Sequence, residues 1–286
     1  MTQQLPNYNA LLLDIRGHGN STSEPSYFKQ PHNFESCVND IFSTLSPLDL
    51  VGKKSPSAIC GHSLGGRIAL QYSHLLCTNK DTNNNTQQQQ DSSSSIQPPK
   101  QTWVLDSVPG KADPSVHNVL RAISSLPTPI PSKPWLVDTL VTDYKMNKEI
   151  AMWIATNLRS DNGKKSFDWI FDLEIANELV MNFTDQNFVD MIHDVTHLSP
   201  EDEMDYENER KSTAVHLVMA GKNKLWSEEI VNELESIPTF QQQQSSSSSS
   251  SASSFRMHTL EKAGHWVHVD DVDGLLKLMV DGLEQK

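Results

Sequence analysis

The chain has 286 residues and a net charge of −13, with no run of Lys and Arg, so it is long enough for one large α/β domain and offers no cationic groove to a nucleic acid. No apolar stretch reaches the roughly 18 residues of a membrane helix, and three cysteines, Cys37, Cys60 and Cys77, suit neither a disulfide framework nor a metal centre. Hydrophobic residues make up only 36% of the chain because its polar excess is gathered at 78–101 and 241–254, which are expected to be disordered insertions.

Residues 1–9 lack the basic start and apolar centre of a secretory signal and the Arg-rich pattern of a transit peptide, so the chain as written reads as cytoplasmic. Ala10–Ile15 is an apolar run broken by Asp14 that leads into Arg16-Gly17-His18-Gly19, which predicts a buried strand and a glycine turn, with His18 in a structural role. Asn33–Leu45 has helical spacing, with Asn33 as its cap and Pro47 just beyond it. Ser57–Gly61 reads as a strand, with Cys60 in the core, and Leu64–Cys77 as a helix. Trp103–Leu105 reads as a third strand, ending at Asp106.

Residues 113–208 lack clear strand-like runs and carry amphipathic stretches at Val137–Leu158 and Ile175–Met191, which predicts a helical cap. Ala214–Ala220 and Phe255–Leu260 read as strands, Ser227–Leu234 and Val272–Leu283 as helices. Strands alternating with helices predict an α/β fold, a mostly parallel sheet flanked by helices, with its core in 1–112 and 209–286. Chemistry in such sheets gathers at the carboxyl ends of the strands. Asp14, Ser63, Asp106 and His265 all fall at or just past such ends.

Gly61-His62-Ser63-Leu64-Gly65-Gly66 places Gly-x-Ser-x-Gly between a strand and a helix, the nucleophile elbow. The tightness of that turn is expected to exclude bulk two residues before and two after the serine. Ser63 would then stand at the amino end of the helix, where the Leu64 amide and the helix dipole can stabilise an oxyanion. A serine hydroxyl needs a positioned base. His265, between the last strand and the last helix, has the best context; His62 is expected to point elsewhere and His268 to be supporting or exposed. The loop after Ala214–Ala220, Gly221-Lys222-Asn223-Lys224-Leu225-Trp226, holds no acid. Asp106 is therefore the candidate to orient His265. Capping of its own turn is the structural alternative, and Glu174 is a weaker candidate.

These motifs resemble the α/β-hydrolase superfamily and, within it, the esterase group that includes alpha/beta-hydrolase domain-containing protein 11. The resemblance rests on Leu13–Ser21, the elbow, Val104-Leu105-Asp106-Ser107-Val108-Pro109 and Ala263-Gly264-His265-Trp266, with Asn157-Leu158 and Phe167-Asp168-Trp169 added from the cap. It implies a carboxylic-ester hydrolase with the triad Ser63, His265 and Asp106, a small acyl-ester substrate, and no metal or organic cofactor. An acid in the cap, near Glu174, is an alternative within the family. The resemblance also implies further strands, and a His-Gly loop that supplies a second oxyanion amide, ahead of the segment at Ala10–Ile15. Without them weak or no activity is expected, since one oxyanion donor is worth ~3–4 kcal/mol, and an organelle address would be missing. Trp153, Trp169 and Phe171 are expected either to line an acyl pocket or to form the cap's core. The rival readings are a non-catalytic binding protein of the same fold and a thioester or amide hydrolase.

Overall fold

The computed structural model describes residues 5–22, 28–78, 96–160, 166–196, 212–237 and 255–284. The expected insertion at 241–254, and residues 79–95 of the other, lie outside the described residues. In chain order the elements begin with α1 (Phe34–Leu45), β1 (Ala58–His62), α2 (Leu64–Thr78), β2 (Gln101–Leu105), α3 (Pro114–Ser124), α4 (Lys133–Thr142) and α5 (Lys148–Thr156). They continue with β3 (Leu158–Ser160), β4 (Phe167–Trp169), α6 (Leu173–Met181), α7 (Phe188–Thr196), β5 (Ala214–Ala220), α8 (Glu228–Glu235), β6 (Phe255–Leu260), α9 (Val267–Asp270) and α10 (Val272–Glu284). The chain divides into two compact units, one of Met1–Leu11, Phe34–Gly110 and Asp185–Lys286, the other of Leu12–Asn33 and Lys111–Thr184.

The first unit is built on a parallel sheet in the order β1-β2-β5-β6. Its inner strands are apolar on both faces, as a sheet covered on both sides requires. Val104, Val215, Leu217 and Phe255 pack with Leu70 of α2, Phe188, Ile192 and Val195 of α7 and Leu234 of α8. Trp103, Leu105, Val218 and Leu260 pack with Leu275 and Met279 of α10. The register pairs His62 with Leu105, and Leu105 with Val218. Ser63 and Asp106, one residue past those positions, therefore leave neighbouring strands side by side. The ladder runs on into them: Ser63 N–H donates to the Leu105 carbonyl at 2.9 Å and Asp106 N–H to the Val218 carbonyl at 2.7 Å.

Two expectations fail in this part of the chain. Residues 10–15 form no strand: among the described residues no strand pairs with them, and Leu12 is 91% exposed. A lone apolar run gains nothing from extension without a ladder partner. Cys60 is exposed rather than in the core, because β1 is an edge of the sheet.

The second unit is mainly helical around Leu120, Ile130, Leu136, Leu140, Ile154 and Trp169. It also holds an antiparallel hairpin, β3 with β4, in a region whose sequence lacks strand-like runs. The expected stretch Val137–Leu158 is divided because Asn147 caps a new helix, accepting from the amides of Glu149 and Ile150. The stretch Ile175–Met191 likewise ends a first helix at Met181, and α7 belongs to the first unit. Among the described residues no helix is long and apolar enough to cross a membrane.

A buried histidine of the sheet is expected to make its stability pH-dependent. His216 is 3% exposed, its ring stacked 4.0 Å from Trp103, and its Nδ1 lies 3.1 Å from Nε2 of His258. Burial first, and then the charges of His258 and Arg256, push the His216 imidazole down to about 3. The unfolded chain then binds a proton that the folded chain refuses, so stability falls as pH drops from about 6.5 towards 3. Urea denaturation between pH 7 and pH 4 should show this loss, and His216→Phe should flatten it; an equally steep loss in the variant would assign the effect elsewhere.

Candidate active site

The turn from β1 into α2 holds Ser63 at φ 53°, in the left-handed region that non-glycine residues rarely occupy. Gly61 is required there, since a Cβ at this position would collide with the backbone of Gly65. Gly66 is required for a different reason: its Cβ would strike the hydroxyl of Ser107. That hydroxyl donates to the Ser63 carbonyl and ties the turn after β2 to the elbow. Gly65 departs from expectation, because a Cβ there meets nothing within 4 Å. Leu64 is the first residue of α2, so its N–H is one of the donors that a helix leaves unpaired at its start. Among the described residues the Ser63 hydroxyl has no hydrogen-bond partner.

Asp106 is 1% exposed and also has a left-handed backbone, with φ 44°. Its carboxylate gathers donors from several elements. One oxygen accepts from the Ala220 N–H at 2.9 Å, where β5 ends, and from Trp226 Nε1–H at 2.6 Å. The other accepts from Asn223 Nδ2–H and from His265 Nδ1–H, both at 2.8 Å. Burial by itself would raise this carboxyl. The hydrogen bonds from His265, Trp226, Ala220 and Asn223 outweigh it and hold the group below the ordinary aspartate range.

His265 lies on the loop between β6 and α9 with its side chain 44% exposed. With the Nδ1 proton committed to Asp106, Nε2 of the neutral ring keeps its lone pair. The loop is anchored by Lys222 N–H to the Ala263 carbonyl at 3.0 Å and by Gly264 N–H to Asp270 at 2.8 Å. His62 adds a third anchor, 2.6 Å from Nε2 to the carbonyl oxygen of His265. Its ring centroid is 4.7 Å from that of His265 and 4.8 Å, edge-on, from that of exposed His268. Burial, followed by the neighbouring His265, pushes the His62 imidazole down to about 4.

The sequence matches the family described as the alpha/beta hydrolase family over residues 3–278. The chain belongs to that family. Solved structures similar to it include a marine microorganism esterase, with 14% identity and a TM-score of 0.64, covering 98% of this chain and 87% of that one. An E-2-(acetamidomethylene)succinate hydrolase has 13% identity and a TM-score of 0.54, covering 94% of this chain and 79% of its own. A thioesterase domain from the curacin biosynthetic pathway has 15% identity and a TM-score of 0.51, with coverage of 94% and 79%. At these identities the likeness is one of fold. No curated protein matches the sequence.

The sheet of this α/β-hydrolase thus brings Ser63, Asp106 and His265 to one edge, and the sequence reading missed the groups that hold them. Asn223 and Trp226 occupy the loop in which an acid was sought, and they donate to Asp106. Arg67, 2% exposed, donates to the carbonyls of Val108 (2.5 Å) and Gly110 (2.8 Å) in the turn after Asp106. The only signal for Asn223 and Trp226 was the polar and aromatic content of their loop, and Arg67 in α2 gave none.

Residues elsewhere have other surroundings. Glu174 is exposed in the first turn of α6. Asp14 accepts from the Asn20 N–H at 2.9 Å, and His18 Nδ1 lies 3.0 Å from the Arg16 carbonyl, so both stabilise the Arg16–Gly19 turn. Trp169 is buried in the core of the second unit with Phe171 against it, and Trp153 is 47% exposed. A groove of about 740 Å³ between α4 and α5, lined by Val137, Val141 and Met152, contains none of the candidate residues. Among the described residues no cluster of His, Cys, Asp and Glu could hold a metal ion.

Gly61 and Gly65 should respond differently to a methyl group. Gly61→Ala should lower the thermal midpoint by several degrees or prevent folding. Gly65→Ala should leave it unchanged or raise it, because alanine favours a helix by up to about 1 kcal/mol over glycine. Equal destabilisation by the two substitutions would contradict the elbow geometry.

Proposed function

We propose that this α/β-hydrolase cleaves carboxylic esters of small acyl substrates through an acyl-enzyme formed on Ser63. The observation that carries the reading is the 2.8 Å bond from His265 Nδ1 to the buried Asp106, on the same sheet edge as a serine held in a left-handed turn. That bond leaves Nε2 of His265 as the base.

In the first step Nε2 takes the Ser63 proton as Oγ attacks the acyl carbonyl. The Leu64 N–H, at the positive end of α2, faces the oxyanion that develops. Collapse of the tetrahedral intermediate expels the alcohol, which receives the proton from His265. Water then attacks the acyl-enzyme with His265 again as base, and the carboxylic acid leaves Ser63 free. Asp106 stays ionised throughout and stabilises the imidazolium. The sequence of steps needs neither a metal nor an organic cofactor.

The leaving group is a separate matter, because fold and triad do not set it. A thioester is the second reading, favoured by the similarity in fold to a thioesterase domain.

A fluorophosphonate probe tests the reading. The wild-type chain should be labelled and Ser63→Ala should not. Asp106→Asn should lower kcat by about 10⁴-fold, since an amide at this position presents a donor and selects the wrong tautomer of His265. Wild-type protein that takes no label would be a binding protein of the hydrolase fold. Comparison of p-nitrophenyl butyrate with the matching butyryl thioester separates the two leaving groups.

A further inference from the structure

We infer that His62 is a positioning residue for the proposed reaction: its imidazole N–H holds the backbone carbonyl of His265 and so ties the loop carrying the base to the strand carrying the nucleophile. The inference rests on the hydrolase reading and concerns a residue outside the triad.

A carbonyl oxygen can only accept, so the 2.6 Å contact fixes the proton of the neutral His62 ring on Nε2 and leaves Nδ1 bare. Burial and the nearby imidazole keep that ring neutral at physiological pH. Neutrality matters because a cation here would repel the imidazolium that forms on His265 during attack. The charged and titratable neighbours that bear on His62 are His265, His268 and Asp106.

The other tethers of the loop run elsewhere. Lys222 holds Ala263 from the end of β5, and Asp270 holds Gly264 from α9. Neither reaches β1. Asp106 fixes a single atom of the His265 ring, Nδ1, about which the ring and its backbone can still pivot. The bond from His62 fixes a second point, the carbonyl, and the two together set where Nε2 lies. His62 is also the residue directly before Ser63, whose Cα is only ~3.8 Å away along the strand. One short, stiff arm thus links the nucleophile's backbone to the base's backbone across 203 residues of sequence. A misplacement of about 1 Å between reacting groups can cost up to about 10²-fold in rate, so the arm acts on kcat.

The test compares His62→Phe, which keeps a ring and removes the donor, with His62→Gln, which restores a neutral N–H. Both are read as kcat and KM on p-nitrophenyl butyrate, with the thermal midpoint measured alongside. His62→Phe should lower kcat by about tenfold to 10²-fold with KM within about twofold, and His62→Gln should recover most of the loss. Should His62→Phe fail to fold, His62→Leu is read in the same way. A kcat unchanged without the donor overturns the positioning role, and so does a loss that Gln does not repair, which would assign His62 to packing alone. Wild-type protein without esterase turnover or probe labelling overturns the hydrolase reading and this inference with it; that outcome is visible before any His62 variant is made.

Discussion

A single buried carboxylate organises the carboxyl edge of the sheet. Asp106 is 1% exposed, and an isolated anion at such a position would cost several kcal/mol. It remains ionised because four donors converge on its two oxygens, from the end of β5, from Asn223 and Trp226 on the following loop, and from His265 after β6. Each donor is bound in turn by the same carboxylate. Replacing it with an apolar group would strand the buried backbone amide of Ala220 and the part-buried indole N–H of Trp226 and side-chain amide of Asn223, each at a cost of up to ~1–3 kcal/mol. The loop after β5 and the loop after β6 are therefore held in place by the carboxylate that is hydrogen-bonded to His265.

The sheet register gives this arrangement its precision. Because His62, Leu105 and Val218 are level, the residues after the first two leave adjacent strands together, and both adopt left-handed backbones. Strain of about 1–3 kcal/mol at each such residue persists only where the surroundings over-determine it. Here the surroundings are the ladder bonds to Leu105 and Val218, the Ser107 hydroxyl on the Ser63 carbonyl, and the Arg67 guanidinium on the turn after Asp106. Serine, aspartate and histidine come from segments that are far apart in the chain, and the parallel strands deliver them to one edge.

Much of this was legible in the sequence where the signal was local. β5 and β6 match the expected strands Ala214–Ala220 and Phe255–Leu260 to the residue, and the elbow motif marks the β1–α2 junction. What could not be read depends on partners distant in sequence. Ala10–Ile15 reads as a strand in the sequence, yet a strand exists only with a neighbour to pair with. The hairpin of β3 and β4 is too short, three residues a side, to leave a period-two pattern. The absence of an acid from the loop Gly221–Trp226 pointed towards Asp106. That the loop's Asn223 and Trp226 serve Asp106 as donors needed coordinates, as did the contact of His62 with the His265 carbonyl.

In this arrangement the Asp106 carboxylate holds the Nδ1 proton of His265. Proton NMR of the low-field imidazole region, with ¹⁵N-labelled histidine for assignment, observes that proton directly. A strongly deshielded Nδ1–H signal in the wild-type protein that disappears in both His265→Gln and Asp106→Asn is the predicted result. A signal that survives Asp106→Asn unshifted, or a wild-type His265 protonated only on Nε2, would contradict the account.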